Sequence, residues 1–216
     1  MKKKLLAIII CGVLIIGVTG CVGKKAVESS NTETKTETKD NTYSIKENST
    51  FFFKVNGKTF KAGDKISDLE KAGFSLTEKA KNTSIPKNRY LLAQTVVDKD
   101  GNEVFSVIPI NMTGNTILAK DATIGGVEIG DYNTSKVSEA TKSLKFEIAG
   151  GLKLGATADD LHRVLGEESF KYEREATTIP AYTSYKYSSG YKGFEFLVDD
   201  SGKVSQIKWN NYSYDE

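Results

Sequence analysis

The first fifty residues leave only residues 51–216 to form the folded part of this chain. Three lysines at positions 2–4 precede an apolar run from Leu5 to Val18, which is the layout of a secretory signal. The run is shorter than the roughly 20 residues that a transmembrane helix needs. Residues 22–50 are rich in Thr, Ser, Asn, Glu and Lys, with too few apolar groups to offset the entropy of ordering. A hydrophobic core is therefore expected only from Phe51 onward.

The apolar run ends in Val18-Thr19-Gly20-Cys21, which resembles the lipobox of bacterial lipoproteins, with a branched aliphatic residue where leucine is usual. The resemblance implies that the Cys21 thiolate receives a diacylglycerol and that cleavage leaves Cys21 as the first residue. Residues 1–20 are then the signal peptide, and residues 21–50 a disordered tether. Because two acyl chains hold a protein firmly to a bilayer, the predicted location is the extracytoplasmic face of the cell membrane. The alternative is an ordinary cleaved signal in which Cys21 has no role.

The predicted processing changes the charge and the cysteine content of the chain. The sequence has 30 Lys and Arg against 28 Asp and Glu, and loss of the three signal-peptide lysines leaves 27 basic side chains. A nearly neutral protein lacks the basic footprint of nucleic-acid binding, so no nucleic-acid partner is predicted. Cys11 lies within the signal, so the mature chain would have one cysteine, and no disulfide within the chain is expected.

Alternating apolar and polar residues with glycine turns predict an α+β fold dominated by antiparallel sheet. Asn56-Gly57 between apolar runs is a strong hairpin signal, because both turn positions accept positive φ. Thr157 is a good helix N-cap, and Gly166 is the expected C-terminal stop of the same helix. Residues 77–88 are expected to form a loop. Helices are expected at residues 66–73, 134–143 and 158–165, and strands at residues 90–97, 103–110, 115–119, 124–129, 144–148, 182–187, 193–198 and 204–209.

The sequence also repeats itself weakly at an offset of 92 residues. Phe60-Lys-Ala-Gly63 aligns with Leu152-Lys-Leu-Gly155, and Leu69 aligns with Leu161. Each copy would comprise a glycine turn, a short helix and a β-meander, so that the helix covers one face of the sheet. Chance alignment of glycine and leucine is the alternative explanation.

The second copy, residues 151–166 with the strands after them, looks like the helix-plus-meander modules of β-lactamase-inhibitor-protein-like and small outer-membrane lipoprotein families. The shared pattern is a Gly-x-Thr turn, a helix that ends in Leu-Gly, and strands that carry aromatic residues. The resemblance implies a binding or assembly module without enzyme activity. The predicted architecture is therefore tandem helix-plus-antiparallel-meander modules, residues 51–148 and residues 149–216, with short helices packed on twisted antiparallel sheet.

No catalytic constellation stands out. His162 is the only histidine, so the His-Glu-x-x-His zinc motif is absent, as are Gly-x-Ser-x-Gly and the phosphate-binding glycine loop. The run Asp98–Asn102 shares letters with calcium loops but lacks their glutamate at position 12, so a hairpin turn is favoured. We predict no catalytic residue, no metal site and no cofactor. Carboxylate pairs suited to glycoside hydrolysis stay open, because 28 acidic residues always supply candidates.

Aromatic residues are concentrated near the C-terminus, and they supply the candidate partner-binding set. Tyr and Trp dominate protein contact surfaces, whereas cross-strand aromatic pairs that merely stabilise the meander are the alternative. The predicted partner-binding residues are Tyr182, Tyr185, Tyr187, Tyr191 and Trp209.

These patterns together predict a lipid-anchored extracytoplasmic binding or assembly protein without catalytic activity. It would meet the membrane through the Cys21 diacylglycerol and present a tyrosine-rich sheet face to an envelope protein or a cell-wall glycan. One alternative is an envelope hydrolase that uses a carboxylate pair. The other is a solute-binding lipoprotein, although this chain is small for the two large α/β lobes usual in that class.

Overall fold

The computed structural model of the protein describes residues 43–131 and 136–212. The predicted signal peptide, the Cys21 lipidation site and the tether up to residue 42 lie outside the described residues. Lys39–Glu216 forms one compact unit that contains the whole hydrophobic core of the described chain. We therefore expect this unit to fold by itself. The described part of the chain has no helix that is both long enough and apolar enough to cross a membrane.

The described residues form thirteen strands and four short helices, together with several single turns of 3-10 helix. The helices are α1 Ser67–Glu70, α2 Glu78–Lys81, α3 Glu139–Ser143 and α4 Ala158–Leu165. The strands are β1 Phe52–Val55, β2 Lys58–Lys61, β3 Phe74–Leu76, β4 Ser84–Ile85, β5 Gln94–Asp98, β6 Glu103–Ile110, β7 Ile117–Leu118, β8 Thr123–Gly130, β9 Phe146–Ile148, β10 Phe170–Arg174, β11 Tyr182–Ser189, β12 Lys192–Asp199 and β13 Val204–Asn211.

Eight of the strands make one antiparallel sheet in the order β10-β11-β12-β13-β8-β6-β5-β3. Two four-stranded meanders meet in its centre, because β13 pairs with β8, placing Ile207 opposite Ile129. The residue ranges 51–148 and 149–216 therefore contribute strands to the same sheet. The predicted α+β fold, with short helices on a predominantly antiparallel sheet, is confirmed.

The core lies between the large sheet and a small three-stranded sheet in the order β2-β1-β9. Rings from β1 meet rings from the large sheet: Phe53 lies 5.7 Å from Phe105 on β6. Just before β1, the Phe51 ring stacks 5.0 Å from that of Phe194 on β12. All four rings belong to the buried core, so the two sheets enclose one aromatic centre. We call the large-sheet face that meets this core the inner face.

Two glycines hold the segments before α1 and α4 against the large sheet in the same way. The Gly63 N–H donates to the Ile124 carbonyl on β8 at 2.8 Å, and the Ile124 N–H donates to the carbonyl of the residue after Gly63 at 2.8 Å. The Gly155 N–H donates to the Val204 carbonyl on β13, and the Val204 N–H donates to the carbonyl of the residue after Gly155, both also at 2.8 Å. Both glycines have positive φ, +91° and +84°, which favours glycine at each position. Gly63 and Gly155 are the glycines that the sequence repeat aligns.

Helix α4 comes after the second of these glycines, and its ends match the sequence prediction. The Thr157 hydroxyl accepts from the Asp160 N–H at 3.2 Å, while the Asp160 carboxylate accepts from the Thr157 N–H at 3.0 Å. This reciprocal capping box satisfies two of the N–H groups that a helix start leaves unpaired. Gly166 ends the helix with a φ of +79°. Leu161 faces the core and is completely buried.

The folded chain starts before the position that the sequence predicted. Residues 43–50, assigned from sequence to the tether, pack on the folded unit: the Tyr43 N–H donates to the Val164 carbonyl on α4 at 2.9 Å. Thr50 is 2% exposed, and its hydroxyl donates to the Ser44 carbonyl at 2.7 Å. The prediction was wrong for these eight residues, because a polar segment can be ordered by a few hydrogen bonds to an existing core. The predicted loop at residues 77–88 also contains α2 and β4.

Candidate functional site

The face of the large sheet opposite the core carries a row of charged side chains. Lys186 Nζ lies 3.2 Å from Glu195 Oε1, and Lys208 Nζ lies 4.0 Å from Glu128 Oε2. Gln206 also donates to Glu128 Oε1 at 2.9 Å. Cross-strand neighbours share a face, so these pairs mark one continuous outer face across β11, β12, β13 and β8. The acids and bases of this row largely neutralise each other.

At β10, the strand at one end of the sheet, the outer face carries aromatic side chains in place of charged pairs. Phe170 and Tyr172 are 55% and 51% exposed, although both belong to a regular strand. Tyr182 on β11 lies opposite Arg174 on β10, and the Arg174 guanidinium stands 5.9 Å from the Tyr182 ring centre. Alternation along β10 places residues 170, 172 and 174 on the same face as Tyr182. We call Phe170, Tyr172 and Tyr182 the aromatic edge.

The backbone of β10 has a strand on one side only. It pairs with β11 from Phe170 to Arg174, and no strand of the described residues pairs with its other side. The remaining side chains of β10 point to the opposite face, where Lys171 Nζ lies 2.8 Å from Glu173 Oε1. Open strand edges are ready-made templates for an additional strand. The aromatic edge therefore combines exposed apolar surface with a main-chain edge that no strand of the described residues covers.

Three of the predicted partner-binding residues are in the core instead. Tyr187 and Trp209 are 1% and 0% exposed, and Tyr185 is 9% exposed. The Trp209 ring packs edge-on to Phe51 at 5.9 Å. The His162 ring of α4 covers Tyr185 at a centroid distance of 5.8 Å. The prediction of an exposed face built from these three residues is wrong, because α4 and the segment around Phe51 cover the side of the meander on which they lie.

The other two predicted residues remain accessible, though in different places. Tyr182 is half-buried on the outer face, within the aromatic edge. Tyr191 is 69% exposed in the turn between β11 and β12, where its carbonyl accepts from Asn210. The structure adds Phe170 and Tyr172, which sequence reasoning did not select. Their signal was the alternation Phe-Lys-Tyr-Glu-Arg over residues 170–174, which is typical of a strand with one apolar side.

One group of side chains among the described residues has the donor types of a metal site. Ligand atoms of His162, Glu167 and Glu168 lie within 4.8 Å of one another. His162 Nε2 and Glu168 Oε2 are 2.8 Å apart, so this pair already satisfies itself without an ion. The nearby Tyr187 hydroxyl is buried, and it has no hydrogen-bond partner among the described residues. Burial, followed by the negative charge of Glu168, raises the pKa of Tyr187 above its usual range.

Comparison with known proteins adds no relative of this chain. No protein-family model matches the sequence, and neither a curated protein nor a solved structure is similar enough to match it. What the protein does is therefore inferred from its own residues.

Proposed function

We propose that this protein is a lipid-anchored binding protein without catalytic activity, which docks an extended segment of an envelope protein beside β10. One observation carries the proposal: an open strand edge bears two aromatic side chains that are more than half exposed on the same face. In strand addition, main-chain hydrogen bonds supply affinity and side-chain pockets supply specificity. The aromatic edge offers both components.

The two faces of β10 carry side chains of different kinds, apolar on one face and charged on the other. Phe170 and Tyr172 offer apolar area, and a buried Phe or Tyr side chain covers roughly 150–250 Å². On the other face, the charges of Lys171 and Glu173 are of the kind that natural sheets place on edges to prevent indiscriminate pairing. This division favours a partner whose added strand places apolar residues on the outer face.

The N-terminal sequence supplies the proposed cellular setting. Cys21 would carry the diacylglycerol, and a polar tether would hold the folded unit on the extracytoplasmic side of the cell membrane. A cell-wall glycan is the other partner class that exposed aromatic rings suit. The main-chain edge of β10, which no strand of the described residues covers, favours a peptide over a glycan, because a strand edge presents amide groups in a regular repeat.

We further infer that the two meanders are copies of one helix-plus-meander module. The reciprocal hydrogen bonds of Gly63 and Gly155 support this, since each glycine precedes a helix and contacts the last strand of its own meander. Glycines with positive φ also end the α1 and α4 regions, Gly73 at +85° and Gly166 at +79°. Only the second copy carries the aromatic edge, because β3, the equivalent terminal strand, buries Phe74 and Leu76.

Site-specific photo-crosslinking in cells that carry the full lipid-anchored chain tests the proposed function. A benzophenone side chain at position 172 is expected to crosslink to a distinct envelope protein, and one at position 191 is expected to give no such product. Tyr191 is a matched control because it is also an exposed aromatic residue of the same unit. Combining Phe170→Ser with the benzophenone at position 172 tests whether the neighbouring ring anchors the partner.

The possible results distinguish docking on the aromatic edge from nonspecific binding to the protein surface. A product at position 172 that Phe170→Ser weakens about tenfold would support docking on the aromatic edge, since losing one anchoring aromatic side chain commonly has this effect. Equal products at positions 172 and 191, or none at position 172, would refute it. Circular dichroism on each purified variant shows that the fold is intact.

A further inference from the structure

A cleft of about 760 Å³ lies where the small sheet, α3 and the turn between β12 and β13 come together. A volume of this size suits a small molecule, since ligand pockets commonly measure about 300–1,000 Å³. Neither the aromatic edge nor the His162 cluster contributes to its walls. We call it the basic cleft, for the lysines that surround it.

The floor of the basic cleft is apolar. Ile129, Val204 and Phe146 line it and are only 1%, 2% and 6% exposed. Leu144 and Leu154 also line it and are half-buried, so they pack on the core and still face the cleft. An apolar floor that reaches the buried core favours a ligand with an apolar body, because such a ligand removes further hydrocarbon surface from water.

Lysines surround this floor. Lys54 is paired with Glu147 at 3.0 Å, and Glu147 is itself one of the two acids of the cleft. Lys142 is paired with Glu139 at 2.7 Å. The other three lysines of the cleft, at positions 145, 153 and 203, have no carboxylate of the described residues within ion-pair distance, and all three are exposed. The other acid, Asp199, accepts backbone N–H groups of its own turn through Oδ1, including that of Lys203 at 3.1 Å. The cleft therefore carries net positive charge.

We propose that the basic cleft binds a small amphiphilic anion, which has an apolar body and a single carboxylate or phosphate group. The body would lie on Ile129, Leu154 and Val204, while the anion would lie among the lysines at positions 145, 153 and 203. Lysine ammonium groups attract carboxylate and phosphate alike, as compact point charges. A neutral ligand would leave these charges unused, and a cation would be repelled by them. This inference does not depend on the proposed role of β10.

The test uses residues 39–216 and probes that share one ten-carbon chain: decanoate, decyl phosphate, decanol and decyltrimethylammonium, each below its micelle concentration. Isothermal titration calorimetry measures their affinities. Decanoate and decyl phosphate are expected to bind about tenfold more tightly than decanol, because charge attraction adds to the same apolar burial. The cation is expected not to bind. Added salt should weaken binding of the anions and not of decanol, since exposed charges are screened.

Two triple variants with the same loss of charge locate the site. Lys145→Gln, Lys153→Gln and Lys203→Gln together are expected to reduce decanoate affinity to that of decanol. The control replaces three exposed lysines that do not line the cleft by Gln, and it should bind decanoate as the parent does. These control lysines are Lys79, Lys87 and Lys120. Leu154→Ser should weaken decanoate and decanol together, because it removes apolar floor.

Several outcomes would overturn the proposal: no binding of decanoate or decyl phosphate, equal affinity for decanoate and decanol, or parent-like anion binding by the cleft triple variant. Loss of anion binding by both triple variants would also overturn it, because it would indicate attraction by overall charge and not by this cleft. Comparing decanoate with decyl phosphate shows which anion the cleft prefers.

Discussion

Gly130 lies at the end of β8, opposite Gln206 on β13. Its φ is +88°, and a Cβ added there would lie 2.1 Å from the Ser205 carbonyl oxygen. We predict that Gly130→Ala lowers the free energy of unfolding by about 3 kcal/mol, since backbone strain and a clash with main chain act together. Urea denaturation followed by circular dichroism measures the change.

Gly101 provides the matched control. It has nearly the same φ, +83°, and nothing lies within 4 Å of an added Cβ. Gly101→Ala is therefore expected to lower the free energy of unfolding by only about 1 kcal/mol, the cost of the left-handed conformation alone. If the two substitutions have equal effects, the close contact between Gly130 and Ser205 has no energetic role.

At the scale of elements, helix α4 depends on its capping box. The backbone N–H of Thr157, then the Arg163 guanidinium and the Thr157 hydroxyl, lower the pKa of Asp160 from 3.8 to about 2. We predict that Asp160→Asn lowers the free energy of unfolding at neutral pH by about 1 kcal/mol, the usual value of a helix cap. Thermal unfolding of both proteins between pH 2 and pH 7 measures this difference.

The lowered pKa determines the sign of the pH effect. The charged Asp160 stabilises the folded state fully above the ordinary aspartate value of 3.8, and this contribution is lost as pH falls through about 2. The difference between parent and Asp160→Asn should therefore shrink across that range. Asp159→Asn is the control, because it removes the same charge from the same helical turn outside the capping box. An equal loss in both variants would assign the effect to charge near the helix end.

Elements with strong local signals could be predicted from the sequence. The bounds predicted for α4 and β6 coincide with the structure, because α4 has a cap at each end and β6 is a mostly apolar segment that directly follows a turn. Strand β10 was not predicted, although the alternation of Phe170 and Tyr172 with charged residues is a strand signal. Tyr185 and Tyr187 were correctly placed on one face of a strand. The face of the strand that α4 covers is determined by long-range packing. The alternation of side chains along the strand does not specify this packing.

At the scale of the whole molecule, the shared sheet and aromatic centre imply that both halves unfold together. Phe53 belongs to the first half and its ring lies 6.4 Å from that of Trp209, the only tryptophan, in the second half. We predict that Phe53→Ala lowers the free energy of unfolding by about 4 kcal/mol, as for other buried phenylalanines. The loss should be equal when unfolding is followed by Trp209 fluorescence and by far-ultraviolet circular dichroism.

Leu161 is completely buried in the second half, so Leu161→Ala provides the complementary measurement. It should lower the free energy of unfolding of the same single transition by about 2–5 kcal/mol. Two separate transitions, of which each substitution moves only one, would contradict a single cooperative unit and would make the two meanders independent domains.

The repeat in the sequence predicted two meanders but not how they meet. The pairing of β8 with β13 joins residues such as Val127 and Trp209, which are distant in sequence, and no local pattern specifies such a partner. The basic cleft likewise depends on tertiary structure. Its lysines at positions 145, 153 and 203 carry no distinguishing motif in the sequence and converge only once β9, α4 and β13 are in place.

The central position of β13 has a consequence for biosynthesis. When the ribosome has synthesised the chain only as far as β12, both β12 and β8 have an open edge. These edges lie in what becomes the middle of the complete sheet. Such edges invite pairing with other chains. The growing polypeptide therefore cannot close its sheet until residues 204–211 are available, however much has been made before them. Secretion in an extended form, with folding of the complete unit only outside the cytoplasm, would avoid this vulnerable intermediate.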